Sequence, residues 1–277
     1  MAIYEIPKSR LNLDTIMQSG QCFSISKKGY IFEILSSDKA AYAIDSGNIY
    51  YIHYKEGSWD YWNSYFRLDT IHFKCCQSEF LNSQNEFIRR CAMYSDGMII
   101  LKQDLWEMIV SFIISQRRSI PSIKSSLARL RTNFGKERSF IISDDLSFQY
   151  HEFPNPTEIL SNPVESIQEQ TGIGYRAPYI KDAAEWFIEN HHKLKSSKSY
   201  DESMELLKQI RGVGDKVASC VCLFGLNHTD SFPIDVWIQR VLDKELISRT
   251  DIEIASDKGF LQQIIFYYVI NHKDQFI

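Results

Sequence analysis

The sequence lacks the features that mark a membrane-spanning protein, an exported protein or a cysteine-based metal protein. Among its 277 residues, no uninterrupted apolar run reaches about 18 residues, the length that a membrane-spanning helix requires. The first ten residues, MAIYEIPKSR, contain no apolar core of the kind found in secretory signals. No two cysteines are separated by two residues, and none follows Cys222, which disfavours a metal site built on cysteine. We expect a protein without a membrane span that stays in the compartment where it is made.

The cysteines predict reduced thiols rather than disulfide bonds. A chain of this size without an export signal is expected in a reducing compartment, where disulfides are rare. Most of the six cysteines should therefore be reduced and buried. They are Cys22, Cys75, Cys76, Cys91, Cys220 and Cys222.

Positive charge is scarce in total, since the net charge is −4 at pH 7, but it is concentrated in one segment. Between Gln116 and Phe140 stand seven Lys or Arg residues and one Glu, so the local net charge is 7 − 1 = +6. Such a stretch is either a solvated helix face, which is the simpler interpretation by itself, or a contact surface for nucleic acid.

The hydrophobic pattern changes along the chain from strand-like to helical. Short segments rich in aromatic and β-branched residues predict an antiparallel sheet; they are 29–35, 40–45 and 48–54. From Leu101 onward the apolar residues recur at helical spacing, and 105–115 is apolar nearly all round, as in a central buried helix. The sequence predicts an α+β fold with a β-rich N-terminal domain, residues 1–95, packed on a larger helical body, residues 96–277. The body includes a helix–hairpin–helix at about 200–226.

The segment LLKQIRGVGDKVASCV predicts two helices joined by a tight glycine turn. Gly212 and Gly214 allow positive φ and close backbone approach, and the helix that follows exposes N–H groups that can hold a phosphate oxygen. Such a hairpin grips a nucleic-acid backbone without reading its sequence. A Gly-x-Gly pair is a weak signal alone, since any corner between helices can contain one.

Lys216 and Asp235 are the candidate reactive residues near this hairpin. Lys216 stands in the first turn of the second helix, where the positive helix end and burial would disfavour an ammonium and free the amine for attack. An exposed lysine that contacts phosphate explains the hairpin equally well. Asp235, in SFPIDVWIQRVL, is either a plain N-cap, worth about 1 kcal/mol, or a cap whose charge also faces a reaction centre.

Together these residues resemble the helix–hairpin–helix DNA glycosylase superfamily, whose hairpin lysine and catalytic aspartate signatures match GVGDKVA and PIDVW. The similarity is sharper to the 8-oxoguanine DNA glycosylases. Four further segments resemble that family's sheet segment, central helix, glycine-tyrosine-arginine loop and pocket helix: LNLDTIMQSGQCFSI, DLWEMIVSFIIS, TGIGYRAPYI and LQQIIFYYV. The matching segments run in order from about residue 10 to 270.

The resemblance implies an enzyme that flips 8-oxoguanine out of duplex DNA and excises it. Lys216 would attack the sugar C1′, and Asp235 would stabilise the cationic character that develops there. The resulting Schiff base permits β-elimination, so the enzyme would be a bifunctional glycosylase and AP lyase. Water activated by an aspartate would instead leave only an abasic site.

The resemblance also implies a pocket for the extruded base. The carbonyl of Gly20 would read the hydrogen that oxidised guanine carries at N7. Gln262 would pair with the Watson–Crick edge, while Phe266 and Cys220 would pack on the two faces of the base. Without the family match, Gln262 would be interpreted as a surface glutamine and Phe266 as a core aromatic.

The implied DNA contacts are Arg117, Arg118, Arg176, Gly212 and Gly214. Arg176 matches a family arginine that contacts the orphaned base, whereas Arg117 departs from the family pattern. Arg117 occupies the position of an asparagine that fills the gap left by the extruded nucleotide. Ser122 stands where some members have an arginine, so we expect weaker discrimination for cytosine opposite the lesion. Arg211 replaces the usual proline before the hairpin, and we expect the turn to survive because it depends on the glycines.

No cofactor is required by the implied chemistry. Hairpins of this family often hold a monovalent cation through main-chain carbonyls, here those of Lys208, Ile210 and Val213. The absence of cysteine from the C-terminal tail excludes the superfamily branch with a four-cysteine iron–sulfur cluster.

Two alternatives remain open at this point. One is a glycosylase of the same fold that acts on another damaged purine, and the other is a non-catalytic helix–hairpin–helix DNA-binding protein.

The expected partner is double-stranded DNA containing oxidised guanine, and a monomer is the simplest assembly. The expected location is the cytoplasm of a prokaryote, associated with the nucleoid, or the nucleus of a eukaryote.

Overall fold

The computed structural model describes residues 1–68, 72–143 and 146–276, with side chains at all of these except 72–76 and 143. Four of the expected reduced cysteines are free and buried: Cys22, Cys91, Cys220 and Cys222. The expectation for Cys75 and Cys76 lies outside the described side chains. No helix in the described ranges is long and apolar enough to cross a membrane.

An antiparallel sheet forms the N-terminal part, as the strand-like segments predicted. Its strands pair in the order β1-β5-β4-β3-β2. Their bounds are β1 (Ala2–Pro7), β2 (Ile25–Lys28), β3 (Ile31–Ser36), β4 (Lys39–Asp45) and β5 (Ile49–Tyr54). Buried and half-buried residues alternate along β3, so the sheet has one face in the core, as its period of two requires.

The remaining described chain is mostly helical. The helices that precede the basic segment are α1 (Leu13–Gln18), α2 (Trp59–Tyr65), α3 (His72–Leu81), α4 (Glu86–Tyr94) and α5 (Leu105–Ser115). Those that follow are α6 (Ile120–Phe134), α7 (Pro156–Leu160), α8 (Val164–Thr171), α9 (Ala177–Ser196), α10 (Tyr200–Leu207), α11 (Asp215–Val221), α12 (Val236–Asp243), α13 (Arg249–Ile254) and α14 (Lys258–Asn271). The fold class is the predicted one, a sheet joined to a larger helical body.

The main sheet ends at Tyr54, and α2, α3 and α4 follow it within residues 1–95. Asn85 caps α4 by accepting from the amides of Phe87 and Ile88. A hairpin of β6 (Glu137–Ser143) and β7 (Leu146–His151) interrupts the segment expected to be helical. The proposed domain boundary between residues 95 and 96 stays a prediction.

Aromatic packing explains why the hairpin forms where it does. The ring of Phe148 stacks on Tyr42 of the main sheet with centroids 4.1 Å apart, and Phe140 lies 4.9 Å from the same ring. These residues form a small second core. A two-stranded hairpin has little stability alone, so contact with the sheet stabilises it.

The central helix α5 is buried along almost its whole length, as its apolar sequence predicted. Its one buried charge, Glu107, accepts from Arg131 of α6 at 2.7 Å and from the backbone amide of Ser37 at 2.9 Å. A buried carboxylate needs such partners, and removing one would leave an uncompensated charge. The cluster therefore joins the sheet, α5 and α6.

Candidate active site

The predicted glycine hairpin lies between α10 and α11. Gly212 has a φ of +86°, and a Cβ there would lie 2.5 Å from Cδ2 of Tyr179, so both its conformation and its contact favour glycine. Gly214 instead has an extended backbone, with φ −99° and ψ −175°, and is the N-cap of α11. Only Gly212 therefore uses the conformational freedom that was expected of both glycines.

The turn forms with Arg211 in place of proline, as expected. The amide of Val213 donates to the carbonyl of Ile210 at 3.0 Å. Arg211 lies outside the turn, where its Nη1 is 3.0 Å from a carboxylate oxygen of Asp182 and its guanidinium is 5.2 Å from the Tyr179 ring.

One of the three carbonyls implied to hold a cation also belongs to the hydrogen bond of the turn. The Ile210 carbonyl accepts from the Val213 amide and retains a second lone pair. The Lys208 side chain pairs with Asp215 at 3.1 Å. A cation held by the carbonyls of Lys208, Ile210 and Val213 stays a prediction.

Lys216 lies in the first turn of α11 and is half-buried. Its Nζ is 5.2 Å from the ring centroid of Phe112 on α5. Its charge also acts on the Cys220 thiol, whose pKa is raised by burial and lowered in part by Lys216. The side chain is therefore held in the body of the protein rather than directed into bulk solvent.

Asp235 caps α12, as the local sequence predicted. Its Oδ1 accepts from the amides of Trp237 at 3.0 Å and Ile238 at 2.9 Å. Burial raises the pKa of the carboxyl, while the Ile238 hydrogen bond and the charge of Lys216 lower it in part. The cap hydrogen bonds alone would lower this pKa, so the upward shift reflects burial of the carboxyl. Asp235 is therefore both a cap and a desolvated carboxyl that is affected by the charge of Lys216.

The predicted pocket residues come from separate parts of the chain. Gly20 has a φ of +73°, and a Cβ there would lie 2.8 Å from Cε1 of Phe266. Gln262 is buried, with 4% of its surface exposed, and donates to the Pro233 carbonyl at 3.2 Å. Gln262 is thus not a surface glutamine, and Pro233 links it to the loop that carries Asp235. Cys220 is equally buried, four residues after Lys216 on α11.

The predicted DNA-contacting arginines lie around the end of α5. Arg117 is exposed and has a φ of +53°, uncommon for a residue with a side chain. Arg118 donates through Nε and Nη2 to the Ser122 hydroxyl, at 2.9 and 2.6 Å. Burial and the charges of Arg176 and Arg129 hold the pKa of Arg118 below its ordinary value. Within the described ranges, neither these three arginines nor Arg129 forms a salt bridge, so their positive charges are not neutralised by carboxylates.

Arg176 is more buried than Arg117 and holds the backbone beside it. It is 7% exposed, and its guanidinium donates to the carbonyls of Ile173 and Gln116. Since Gln116 directly precedes Arg117, Arg176 holds the backbone from which Arg117 projects. Its predicted contact with the orphaned base stays a prediction.

Sequence reasoning missed two residues of the site. Phe112 faces Lys216, and Gln263 donates to the Oε1 of Gln262 at 2.9 Å. Phe112 had no signal in the sequence because its contact joins two distant helices. Gln263 stands beside Gln262 in the chain, but two adjacent helical residues do not normally face each other.

Two family models match successive parts of the chain. The model of the HhH-GPD superfamily base excision DNA repair proteins matches residues 110–257, and that of the 8-oxoguanine DNA glycosylase N-terminal domain matches residues 3–109. The first contains the hairpin, Lys216 and Asp235, and the second contains the sheet and Gly20.

Curated relatives match over part of their length. The chain is 30% identical to the N-glycosylase/DNA lyase of Saccharomyces cerevisiae over 212 residues, 72% of this chain and 53% of the yeast protein. It is 28% identical to a probable N-glycosylase/DNA lyase of Methanothermobacter thermautotrophicus, over 63% of this chain and 62% of that protein. The chain therefore spans about half to three-fifths of these relatives.

Solved structures match over nearly the whole chain. MBOgg1, in complex with a low-affinity DNA ligand, has a TM-score of 0.85 and 30% identity, covering 98% of this chain and 96% of that one. The Clostridium acetobutylicum 8-oxoguanine glycosylase/lyase, in complex with double-stranded DNA containing cytosine opposite 8-oxoguanine, has a TM-score of 0.84 and 25% identity, covering 99% of each chain. With a family model matching more than half of its residues, this chain belongs to the HhH-GPD superfamily of base excision DNA repair proteins.

Proposed function

We propose that this protein is a bifunctional DNA glycosylase and AP lyase that excises 8-oxoguanine from duplex DNA through a lysine Schiff base. The observation that carries the proposal is that Lys216 and Asp235, 19 residues apart in the sequence, interact electrostatically in a site where Lys216 is half-buried. The charge of Lys216 acts on both Asp235 and Cys220. A non-catalytic binding hairpin has no need of a half-buried lysine beside a desolvated carboxylate.

The proposed chemistry starts at the sugar. Nζ of Lys216, in its free-amine form, bonds to C1′ as the C1′–N9 bond breaks, and the base departs with the bonding electron pair and gains a proton. Asp235 stabilises the positive charge that develops at C1′ and the ring oxygen. Opening of the sugar ring leaves a protonated Schiff base; loss of a C2′ proton then expels the 3′ phosphate and breaks the strand.

Recognition of the base is assigned to Gly20, Gln262, Phe266 and Cys220. Guanine has an acceptor at N7, whereas 8-oxoguanine has an N7 hydrogen that a buried carbonyl can accept. A site built around one hydrogen bond rejects the analogue that lacks it, because the partner then stays unpaired. The buried Gln262 amide suits the Watson–Crick edge, and Phe266 supplies an apolar face.

DNA binding is assigned to the hairpin and the arginines near the end of α5. Extrusion of a nucleotide leaves a gap in the duplex, and the exposed Arg117 occupies a positive-φ position two residues after the end of α5. Arg118, Arg129 and Arg176 add positive charge around it. Neutralisation of phosphates by such side chains releases counterions and favours binding.

Borohydride trapping tests the proposed function. The protein is incubated with a duplex containing one 8-oxoguanine opposite cytosine, beside duplexes with guanine or an alkylated purine at the same position. A reduced covalent adduct with the 8-oxoguanine duplex alone supports the proposal. An adduct with the alkylated purine alone supports a different damaged base, and DNA binding without adduct or base release supports the non-catalytic alternative.

Substitution of Gly20 by alanine is expected to slow excision of 8-oxoguanine. The new Cβ would lie 2.8 Å from Phe266, and the φ of +73° costs a residue with a side chain about 1–2 kcal/mol. The Gly20 backbone and the Phe266 ring would both be displaced in the pocket. Single-turnover excision and urea unfolding measure the two effects separately.

Gly47→Ala is the matched control for this variant. Gly47 has a φ of +80°, and a Cβ added there would meet no atom within 4 Å, so the substitution adds similar backbone strain without a pocket contact. Equal excision rates for Gly20→Ala and Gly47→Ala would exclude a role for the Gly20 contact.

Excision is expected to depend only weakly on the base opposite the lesion. Arg117 has donors but no acceptor, so it can pair with acceptor atoms of any orphaned base. Ser122 lacks a forked donor group like that of arginine, and its hydroxyl already accepts from Arg118. Since a bidentate base contact contributes about 1–3 kcal/mol of discrimination, its absence should leave the four single-turnover rates within about tenfold. An undiminished cytosine preference would contradict this expectation.

A further inference from the structure

The amide of Gln262 is held between two hydrogen-bonding partners. Its Nε2 donates to the Pro233 carbonyl at 3.2 Å, and its Oε1 accepts from Nε2 of Gln263 at 2.9 Å. Both glutamines are buried, with 4% and 3% of their surfaces exposed. We propose that Gln263 is a positioning residue that fixes the orientation of the Gln262 amide. This orientation determines which base edge can form hydrogen bonds with Gln262.

The orientation follows from donor and acceptor types. The Pro233 carbonyl can only accept, so the NH₂ group of Gln262 faces it. The oxygen of the Gln262 amide then points to Gln263, which must present a donor. Rotation of the Gln262 amide by 180° would oppose two oxygens at Pro233 and two NH₂ groups at Gln263.

The Gln263 amide presents its donor to Gln262 and not its acceptor. The Oε1 of Gln263 is buried and has no hydrogen-bond partner among the described residues. Rotation of the Gln263 amide would place this oxygen against the oxygen of Gln262, which cannot donate to it. The donor of Gln263 therefore stays on Gln262.

The fixed amide retains one N–H and one oxygen lone pair for a ligand. The Watson–Crick edge of a guanine-type base offers O6 as acceptor beside N1–H as donor. An adenine-type base offers an amino donor at position 6 beside N1 as acceptor, so the two edges require opposite amide orientations. An amide free to rotate would pair with either edge, whereas an amide held by Pro233 and Gln263 pairs with only one type of base edge.

This inference rests on the proposed function, in which Gln262 reads the base. The test compares 8-oxoguanine with 8-oxoadenine, which share the C8 oxygen and the N7 hydrogen and differ at the Watson–Crick edge. The measured quantity is the ratio of kcat/KM for excision of the two bases from otherwise identical duplexes. Cleavage of a preformed abasic site is measured in parallel, because that substrate has no base for Gln262 to read.

Gln263→Met removes the donor at similar side-chain length, and Gln263→Glu replaces it with an acceptor. The ratio is expected to fall about fivefold in Gln263→Met, because this factor corresponds to the net free energy of one ordinary hydrogen bond. It should fall further in Gln263→Glu, because a carboxylate attracts the Gln262 NH₂ group away from Pro233. Both variants should cleave the abasic site at the rate of the unaltered protein.

Gln239→Met is the matched control. Gln239 is exposed on α12 and donates to Asp243 at 2.8 Å, so its loss should leave the ratio unchanged. An unchanged ratio in both Gln263 variants overturns the inference, as does a parallel loss of abasic-site cleavage, which indicates a structural role. Failure of the unaltered protein to excise 8-oxoguanine overturns the proposed function itself, an outcome distinct from these.

Discussion

Lys216→Gln is expected to abolish base excision and borohydride trapping while the protein still binds damaged DNA. Glutamine has no nucleophilic amine, so no bond to C1′ can form. Loss of a catalytic nucleophile typically lowers turnover by at least about a thousandfold. Single-turnover excision of 8-oxoguanine and gel-based detection of the reduced adduct measure the loss. Binding is followed by fluorescence anisotropy.

Lys244→Gln controls for the loss of one positive charge. Lys244 is exposed just after α12, and its replacement removes the same charge from the protein. It should retain both turnover and adduct formation. If Lys216→Gln still releases the base and yields an adduct, Lys216 is not the nucleophile. If the variant releases the base without an adduct, water is the attacking group.

Asp235→Asn is expected to lower excision by about a hundredfold or more, the usual scale for loss of one preorganised electrostatic stabiliser. Asparagine is as good an N-cap as aspartate, so the hydrogen bonds to the Trp237 and Ile238 amides can persist. The free energy of unfolding should change little. Asp235→Ala should lose activity and also about 1 kcal/mol of stability. Single-turnover kinetics and urea unfolding distinguish the two roles.

Ser248→Ala tests whether loss of a cap alone lowers activity. Ser248 caps α13 by accepting from the Asp251 amide at 3.1 Å. Its removal should destabilise the protein by about 1 kcal/mol without slowing excision. Full activity in Asp235→Asn would show that Asp235 is only a cap.

The pH dependence supplies a second readout for Asp235. Burial raises the pKa of its carboxyl above the ordinary aspartate value. As the pH falls through that raised pKa, the carboxylate gains a proton and loses the charge that stabilises the transition state. The acid limb of the single-turnover rate should therefore lie at higher pH than for an exposed aspartate, and Asp235→Asn should lack this limb.

Several parts of the fold and site were predictable because they depend on residues near one another in the chain. The apolar sequence 105–115 predicted a buried helix, and α5 is buried as expected. Gly212 marked a turn that needs positive φ, and Asp235 marked the start of α12. The helical period places Cys220 one turn after Lys216, and Phe266 one turn after Gln262. These relations follow from helix geometry and capping alone.

Other parts could not be predicted because their energies come from contacts between distant segments. The strands β6 and β7 form against Tyr42, more than ninety positions earlier in the chain, so their local pattern was insufficient. Arg176 is 7% exposed and donates to the carbonyl of Gln116, sixty positions earlier in the chain. No periodicity in the sequence indicates such a partner.

The sequence by itself determined the types of chemical group available: one hairpin lysine, one capping aspartate and a glutamine and phenylalanine one helical turn apart. Only the tertiary structure decided their surroundings. Packing of α11 on α5 brings Phe112 to Lys216, and burial raises the pKa of the Asp235 carboxyl. Pro233 and Gln263 orient the amide of Gln262. Desolvation and amide orientation depend on atoms that packing brings together from distant segments. A local sequence pattern therefore specifies neither the dielectric environment of a side chain nor its partner across the site.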